Sequence, residues 1–405
     1  MSFVYDLDFN KLDDIFQNGN RNDLDEFCQK NNLIIRGGKV FYNGDTNEKV
    51  KFWDKRQLVR KILLNSCFGA VSNAHCRFFD IRIGQSTTLT GRSIVKHMIS
   101  EVNRVFTGKY EHYSDTYRYS DTDSVYFSAY ELLKEDIDRG DILWNKDTVT
   151  DLYDTACNKV NSSFANFMQQ AFHCPLEYAK PIAAGREIVG SSGLFITKKR
   201  YAIMVYDNEG KREDVGGKPG KIKAMGLDLR RSDTPVFIQD FLKEILEMVL
   251  LRYNEDEILN RIVEYREEFR KLPPWKKGSP KAVNKVTWYK EQLNQGKKLS
   301  IPGHVRASWN WNNLRKANSD NYSMEIVDGM KIIVCKLRNN PMGYTSIAYP
   351  TDETRLPEWF KELPFDESLM EETILDNKLN NLIGQLGYNI SSTNVSNTFN
   401  TLFEF

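Results

Sequence analysis

Tyr119-Ser120-Asp121-Thr122-Asp123-Ser124 decides how this chain is read, together with the runs on either side of it, Thr116-Tyr117-Arg118 and Val125-Tyr126-Phe127. Two β-type runs rich in aromatic and β-branched residues flank a short acidic turn, which predicts a hairpin. Two carboxylates two residues apart in extended backbone project to the same side, close enough to share hard divalent cations. Phosphoryl transfer with two metals needs carboxylates placed in this way. One ion activates the attacking hydroxyl and the other steadies the leaving phosphate. An Asp-x-Asp triplet by itself is a common solvated turn. The aromatic runs raise its standing, because a metal-binding hairpin must stand on a rigid sheet. Asp121 and Asp123 are therefore the candidate catalytic and metal-ligating residues.

Working toward the N-terminus, a second helix is expected over about 85–106, and before it one long helix from Phe52 to about Asn73. On that long helix Val59, Leu63, Ser66 and Ala70 fall on one side, and Lys61, Asn65, Phe68 and Ser72 form a stripe on the other. Lys61 supplies a point charge suited to a triphosphate, with Asn65 and Phe68 one and two turns along the same face. The plain alternative is a solvated lysine on an amphipathic helix. Residues 1–50 read as polar and irregular, apart from a short helix near 7–16 and a strand at Lys39-Val40-Phe41-Tyr42.

Toward the C-terminus, 146–172 is expected to be helical. Glu187 to Tyr206 reads as two strands, with Gly190 and Gly193 near the bend. Lys199 and Tyr201 would alternate onto one strand face, with Arg200 on the other. A lysine and a phenol placed there suit contacts to a nucleic-acid backbone or minor groove. Ser232-Asp233-Thr234-Pro235 marks a helix start, followed by helices over about 236–252 and 255–271. A last helix is expected near 367–385, then a polar, flexible leash over 387–397.

The net charge of +1 in 405 residues hides an uneven distribution. From Arg270 to Lys316 there are twelve Lys/Arg against one acid, Glu291, and from Thr351 to Phe405 ten Asp/Glu against three Lys/Arg. The cationic segment suits a polyphosphate partner. It interleaves its charge with Trp275, Trp288, Tyr289, Trp309 and Trp311, which argues for a packed element directing lysines at duplex phosphates rather than a disordered run. The six cysteines lie far apart and read as reduced thiols, neither a disulfide frame nor a zinc site. No stretch approaches a membrane span, and the first residues lack the pattern of a secretory signal. The expected setting is cytoplasmic.

The ordered motifs resemble those of family B DNA polymerases, of the T-even-bacteriophage type. Tyr119 to Ser124 resembles the family's Y-x-D-T-D-S motif. Lys61-x-x-x-Asn65-Ser66-x-Phe68-Gly69 resembles K-x-x-x-N-S-x-Y-G on the fingers helix, with Phe68 in place of the usual tyrosine. Lys199-Arg200-Tyr201 resembles the K-x-Y motif. The likeness continues through Lys223-x-Met225-Gly226 and Pro302-Gly303-His304-Val305-Arg306, covering roughly residues 50 to 405. It implies DNA-templated DNA synthesis with magnesium at Asp121 and Asp123. Lys61, Asn65 and Phe68 would meet the deoxynucleoside triphosphate. Lys199, Tyr201, His304 and Arg306 would meet the primer-template DNA. The terminal run from Thr398 to Phe405 is abruptly aromatic, and by the same resemblance Phe399, Leu402 and Phe403 would anchor a sliding clamp.

No D-x-x-S-L-Y-P-S motif, exonuclease region or paired fingers helix is visible, so the resemblance covers the C-terminal portion of such an enzyme. A split or truncated polymerase is expected, with a second polypeptide supplying the rest. The alternatives are a non-catalytic DNA- and clamp-binding remnant and a gene fragment. The expected architecture is α+β. It comprises an irregular N-terminal segment (1–50), a fingers helix with a following palm helix (51–106), a palm with the catalytic hairpin (107–230), a mainly helical thumb (231–386) and a flexible tail (387–405).

Overall fold

The computed structural model describes residues 14–394 apart from residues 16, 20, 32, 37–38, 43 and 115. The expected helix near 7–16 and the anchor residues Phe399, Leu402 and Phe403 lie wholly or mostly outside the described residues. The fold is α+β, with several small antiparallel sheets among helices. Two compact units divide at Ile94/Val95.

In the first unit, α1 (Arg21–Lys30) precedes an antiparallel pair, β1 (Leu33–Arg36) and β2 (Lys39–Tyr42). Phe27, Cys28 and Leu33 form its small core. Helix α2 runs Gly44–Ser72, longer than the sequence pattern indicates, and α3 runs Ile81–Thr107, only its first half, to Ile94, belonging to this unit. The Asp80 side chain accepts a bond from the Arg82 N–H at 2.9 Å, which caps the start of α3. Gly84 sits against the end of α2, where a Cβ would lie 2.7 Å from Ser72 Oγ.

In the second unit, the expected hairpin forms as β3 (Tyr117–Asp121) and β4 (Ser124–Phe127). Helix α4 (Tyr130–Asp138) and helix α5 (Lys146–Phe172) follow, α5 with the boundaries its pattern predicts. Next comes a four-stranded sheet in which the long strand β6 (Arg200–Asn208) pairs with β5 (Ile188–Thr197), β7 (Lys211–Arg212) and β8 (Lys221–Met225). Gly190 and Gly193 lie within β5, not at the bend, which falls at Lys198-Lys199. Gly190 is at a register shift, where a Cβ would come within 2.3 Å of Ile203 Cγ2. The neighbouring strand leaves no room for one.

Helices α6 (Val236–Leu250) and α7 (Glu255–Lys271) cover this sheet. Ile238, Phe241, Leu242, Ile245 and Leu246 repeat at helical spacing and are all buried. They share one core with Ala202, Met204 and Ala224 of the sheet and with Leu375, Leu379 and Ile383 near the C-terminus. Each such side chain contributes roughly 1.5–3 kcal/mol by burial. The start of α6 departs from expectation. Pro235 itself occupies the cap position, and no side chain caps the helix. Asn254 and Glu257 instead form a reciprocal capping box on α7.

A second core gathers a three-stranded sheet, ordered β11 (Ser346–Pro350), β10 (Lys331–Lys336), β9 (Ser279–Ala282), with α8 (Val286–Asn294) and α9 (Gly303–Ala317). Trp311 is wholly buried there. The chain ends in α10 (Glu367–Glu371), a π-helical turn (Glu372–Asp376) and α11 (Asn377–Ile383). The leash expected over 387–397 is docked as far as it is described. Ile390 and Thr393 are buried, and the buried Arg266 guanidinium donates to Thr393 Oγ1 at 2.9 Å. Among the described residues no helix is long and apolar enough to cross a membrane.

Candidate active-site hairpin

Asp121 ends β3 opposite Ser124, so Thr122 and Asp123 form a two-residue tip. The backbone there is not extended, which corrects the premise of the sequence reading. Thr122 has φ +56°, and the Asp123 N–H donates to the Asp121 carbonyl at 2.7 Å. This is a γ-turn, rare for any residue and strained for a β-branched one. Holding threonine in that region costs on the order of 1–3 kcal/mol, and such outliers persist where the surroundings over-determine them. Two hydroxyls secure the tip. Thr122 Oγ1 donates to Asp121 Oδ1 at 3.1 Å, and Ser124 Oγ to the Asp121 carbonyl at 3.1 Å. Asp121 is half-buried and Asp123 exposed. Among the described residues no group of three His, Cys, Asp or Glu could hold a metal.

The platform under the hairpin is aromatic. The rings of Tyr119, Tyr126, Phe195 and Tyr201 touch one another, with centroids 5.1–5.9 Å apart. Tyr126 and Tyr201 share a hydroxyl–hydroxyl bond of 2.8 Å, and the Lys199 N–H donates to Tyr119 Oη at 2.8 Å. Burial and the Tyr201 hydroxyl push the Tyr126 phenol well above its ordinary range. Sequence reading marks these runs as strands but not their convergence, since Phe195 and Tyr201 belong to a different sheet.

Lys199 and Tyr201 do not share a strand face. Lys199 is a turn residue at φ +64°, and its exposed Nζ lies 4.0 Å from Asp121 Oδ1. Tyr201 is buried, its hydroxyl taken by Tyr126. Lys199 is thus brought to Asp121, whereas Tyr201 holds the platform.

On α2, Lys61, Asn65 and Phe68 are exposed along the predicted stripe. The opposite side is exposed as well: Phe52, Val59 and Leu63 stand 54%, 63% and 62% open. In α9, Val305 and Ala307 are buried while Arg306 is exposed. His304 is half-buried, and burial and Lys281 hold its imidazole below its usual value.

The cationic segment is less free than its composition suggests. Arg270 pairs with Glu371, the buried Lys277 with Glu367, Lys281 with Asp233, and Arg315 with Glu325. Acids from the anionic C-terminal region thereby neutralise part of it. Lys271, Lys276, Lys285, Lys290, Lys297, Lys298, Arg306 and Lys316 remain exposed.

The family model for DNA polymerase family B matches residues 39–143 and 147–295, more than half of the chain. The chain belongs to DNA polymerase family B. The match takes in Lys61, Asn65, Phe68, Asp121, Asp123, Lys199 and Tyr201, whereas His304 and Arg306 lie beyond it. The DNA-directed DNA polymerase of Enterobacteria phage T4 is 28% identical over 352 residues, covering 83% of this chain and 36% of the relative. That of Escherichia phage RB69 is 29% identical over 310 residues, covering 73% and 33%. A DNA polymerase of Pyrococcus glycovorans is 26% identical over 240 residues, covering 59% and 25%. This family B chain is therefore of the T-even phage type, and it spans about a third of the length of the phage relatives.

Proposed function

We propose that this chain is the C-terminal portion of a split or truncated family B polymerase and takes part in DNA-templated DNA synthesis. In the reaction the primer 3′-oxygen bonds to the α-phosphorus of a deoxynucleoside triphosphate and the α–β bridging bond breaks, releasing pyrophosphate. The observation that carries the reading is the strained Asp121-Thr122-Asp123 tip, fixed on a four-ring platform with Lys199 beside it. Asp121 and Asp123 would hold magnesium, which when bound activates the 3′-hydroxyl and neutralises charge on the phosphates. Lys61 would meet the triphosphate as a point charge, with Asn65 and Phe68 along the same stripe. Lys199, Tyr201, His304 and Arg306 would hold the primer-template, the buried Tyr201 by seating the turn that carries Lys199.

A second polypeptide would complete the site by supplying a further carboxylate. The exposed apolar side of α2 favours this, because a helix open at Phe52, Val59 and Leu63 leaves apolar surface for a partner to cover. Phe399, Leu402 and Phe403 would anchor a sliding clamp, and the setting would be the cytoplasm of an infected bacterial cell. The lack of a third metal-ligating side chain among the described residues favours one other reading, a DNA- and clamp-binding remnant without catalysis.

Primer extension with magnesium and four deoxynucleotides separates the two. The expected result is synthesis that requires the polypeptide encoded beside this one and falls by about 10³-fold or more with Asp123→Ala. Silence from a folded pair would reject catalysis and leave the remnant.

A further inference from the structure

Asp228 is a buried carboxylate to which three separate segments of the chain bring polar or cationic groups. Lys378 Nζ of α11 lies 2.8 Å from one of its oxygens, and Asn381 Nδ2 of the same helix donates to the other at 3.3 Å. Arg200 Nη2, at the start of β6, is 3.9 Å away and also donates to the Asn381 carbonyl at 3.0 Å. Arg231 Nε, three residues along from Asp228, is at 3.6 Å. Arg231 is itself held by Asp233, which also takes Lys281. The approach is set by Gly226, whose φ is +64° and where a Cβ would lie 2.1 Å from the Lys199 carbonyl. No other residue could bring the segment so close beneath the turn.

We propose that Asp228 is a positioning residue that locks the Lys199–Arg200 turn to helix α11, so that the DNA-facing turn and the C-terminal helix move as one body. The link runs from Lys378 and Asn381 through Asp228 to Arg200. The neighbouring Lys199 lies 4.0 Å from Asp121. A shift of α11 is thereby felt at the catalytic hairpin. A carboxylate only 10% exposed is costly to leave without its cations, which favours keeping the link made. Its consequence for DNA rests on the polymerase reading. The mechanical link does not.

Two readouts keep those apart: hydrogen exchange of the 198–201 amides in the full chain, and the dissociation constant for a primer-template duplex. Asp228→Asn keeps the shape and removes the charge. It is expected to speed exchange in the turn and weaken DNA binding by about tenfold, with Asp228→Glu recovering most of both. Should Asp228→Asn fail to fold, Lys378→Gln breaks the same link from a residue that does not face the turn. Unchanged exchange in a folded variant overturns the proposal, whereas faster exchange with unaltered DNA affinity supports the mechanical link and rejects its consequence for DNA. Faster exchange in a protein whose wild type binds no primer-template would support the link and reject the polymerase reading instead.

Discussion

The hairpin at 117–127 and helix α2 carry the chain's two sharpest sequence motifs, yet they are built in opposite ways. The hairpin is supported within its own unit: every aromatic ring beneath it, Tyr119, Tyr126, Phe195 and Tyr201, comes from this chain and packs on another. Helix α2 carries its motif on one side and leaves Phe52, Val59 and Leu63 open on the other. The two motifs thus differ in what packs behind them: one stands on a ring cluster of its own unit, the other on a helix whose reverse side is open. One region stores backbone strain at Thr122 because its neighbours enforce it. The other presents apolar surface with no such neighbours among the described residues.

That contrast can be tested by what each region tolerates. The largest effect is expected at the platform. Tyr201→Ala removes a buried ring and should cost about 3–5 kcal/mol of stability in a denaturant melt, whereas Leu63→Ala on α2 should stay within about 0.5 kcal/mol. Equal losses would erase the distinction.

A smaller effect is expected from acid. His97 is buried, stacked on Phe167 and bonded to Tyr110 and Ser163, and burial together with Arg104 lowers its imidazole from 6.5 to about 4. Because the folded form holds the ring neutral, its stabilisation is full above pH 6.5. It is lost progressively as the pH falls toward 4, by up to about 3 kcal/mol. His97→Gln should flatten that limb of a pH-stability curve while leaving α2 variants unaffected.

The smallest effect is expected where the C-terminal region docks. Thr393→Val removes one partner of the buried Arg266, which keeps Glu371 and Asp376, and should cost about 1 kcal/mol. Limited proteolysis after residue 386 should become faster, and no change would mean that Thr393 does not hold this segment.

The amino-acid sequence by itself determined the α+β class, the hairpin, α5 to the residue, α7, and the family with its ordered motifs. These rest on local periodicity and on short chemical patterns, which survive without knowledge of distant neighbours. It misplaced the bend between β5 and β6 because the glycines it relied on serve strand proximity. It put Lys199 and Tyr201 on one face because alternation fails where a turn residue adopts positive φ. Only the tertiary structure decided that Tyr201 is a buried support, that acids from the far end of the chain neutralise part of the cationic segment, and that Asp228 meets Lys378 and Asn381 some 150 residues on. Such pairings join residues that no local pattern connects. They exist because burying a charge demands a partner, and the fold, not the sequence neighbourhood, chooses which one arrives.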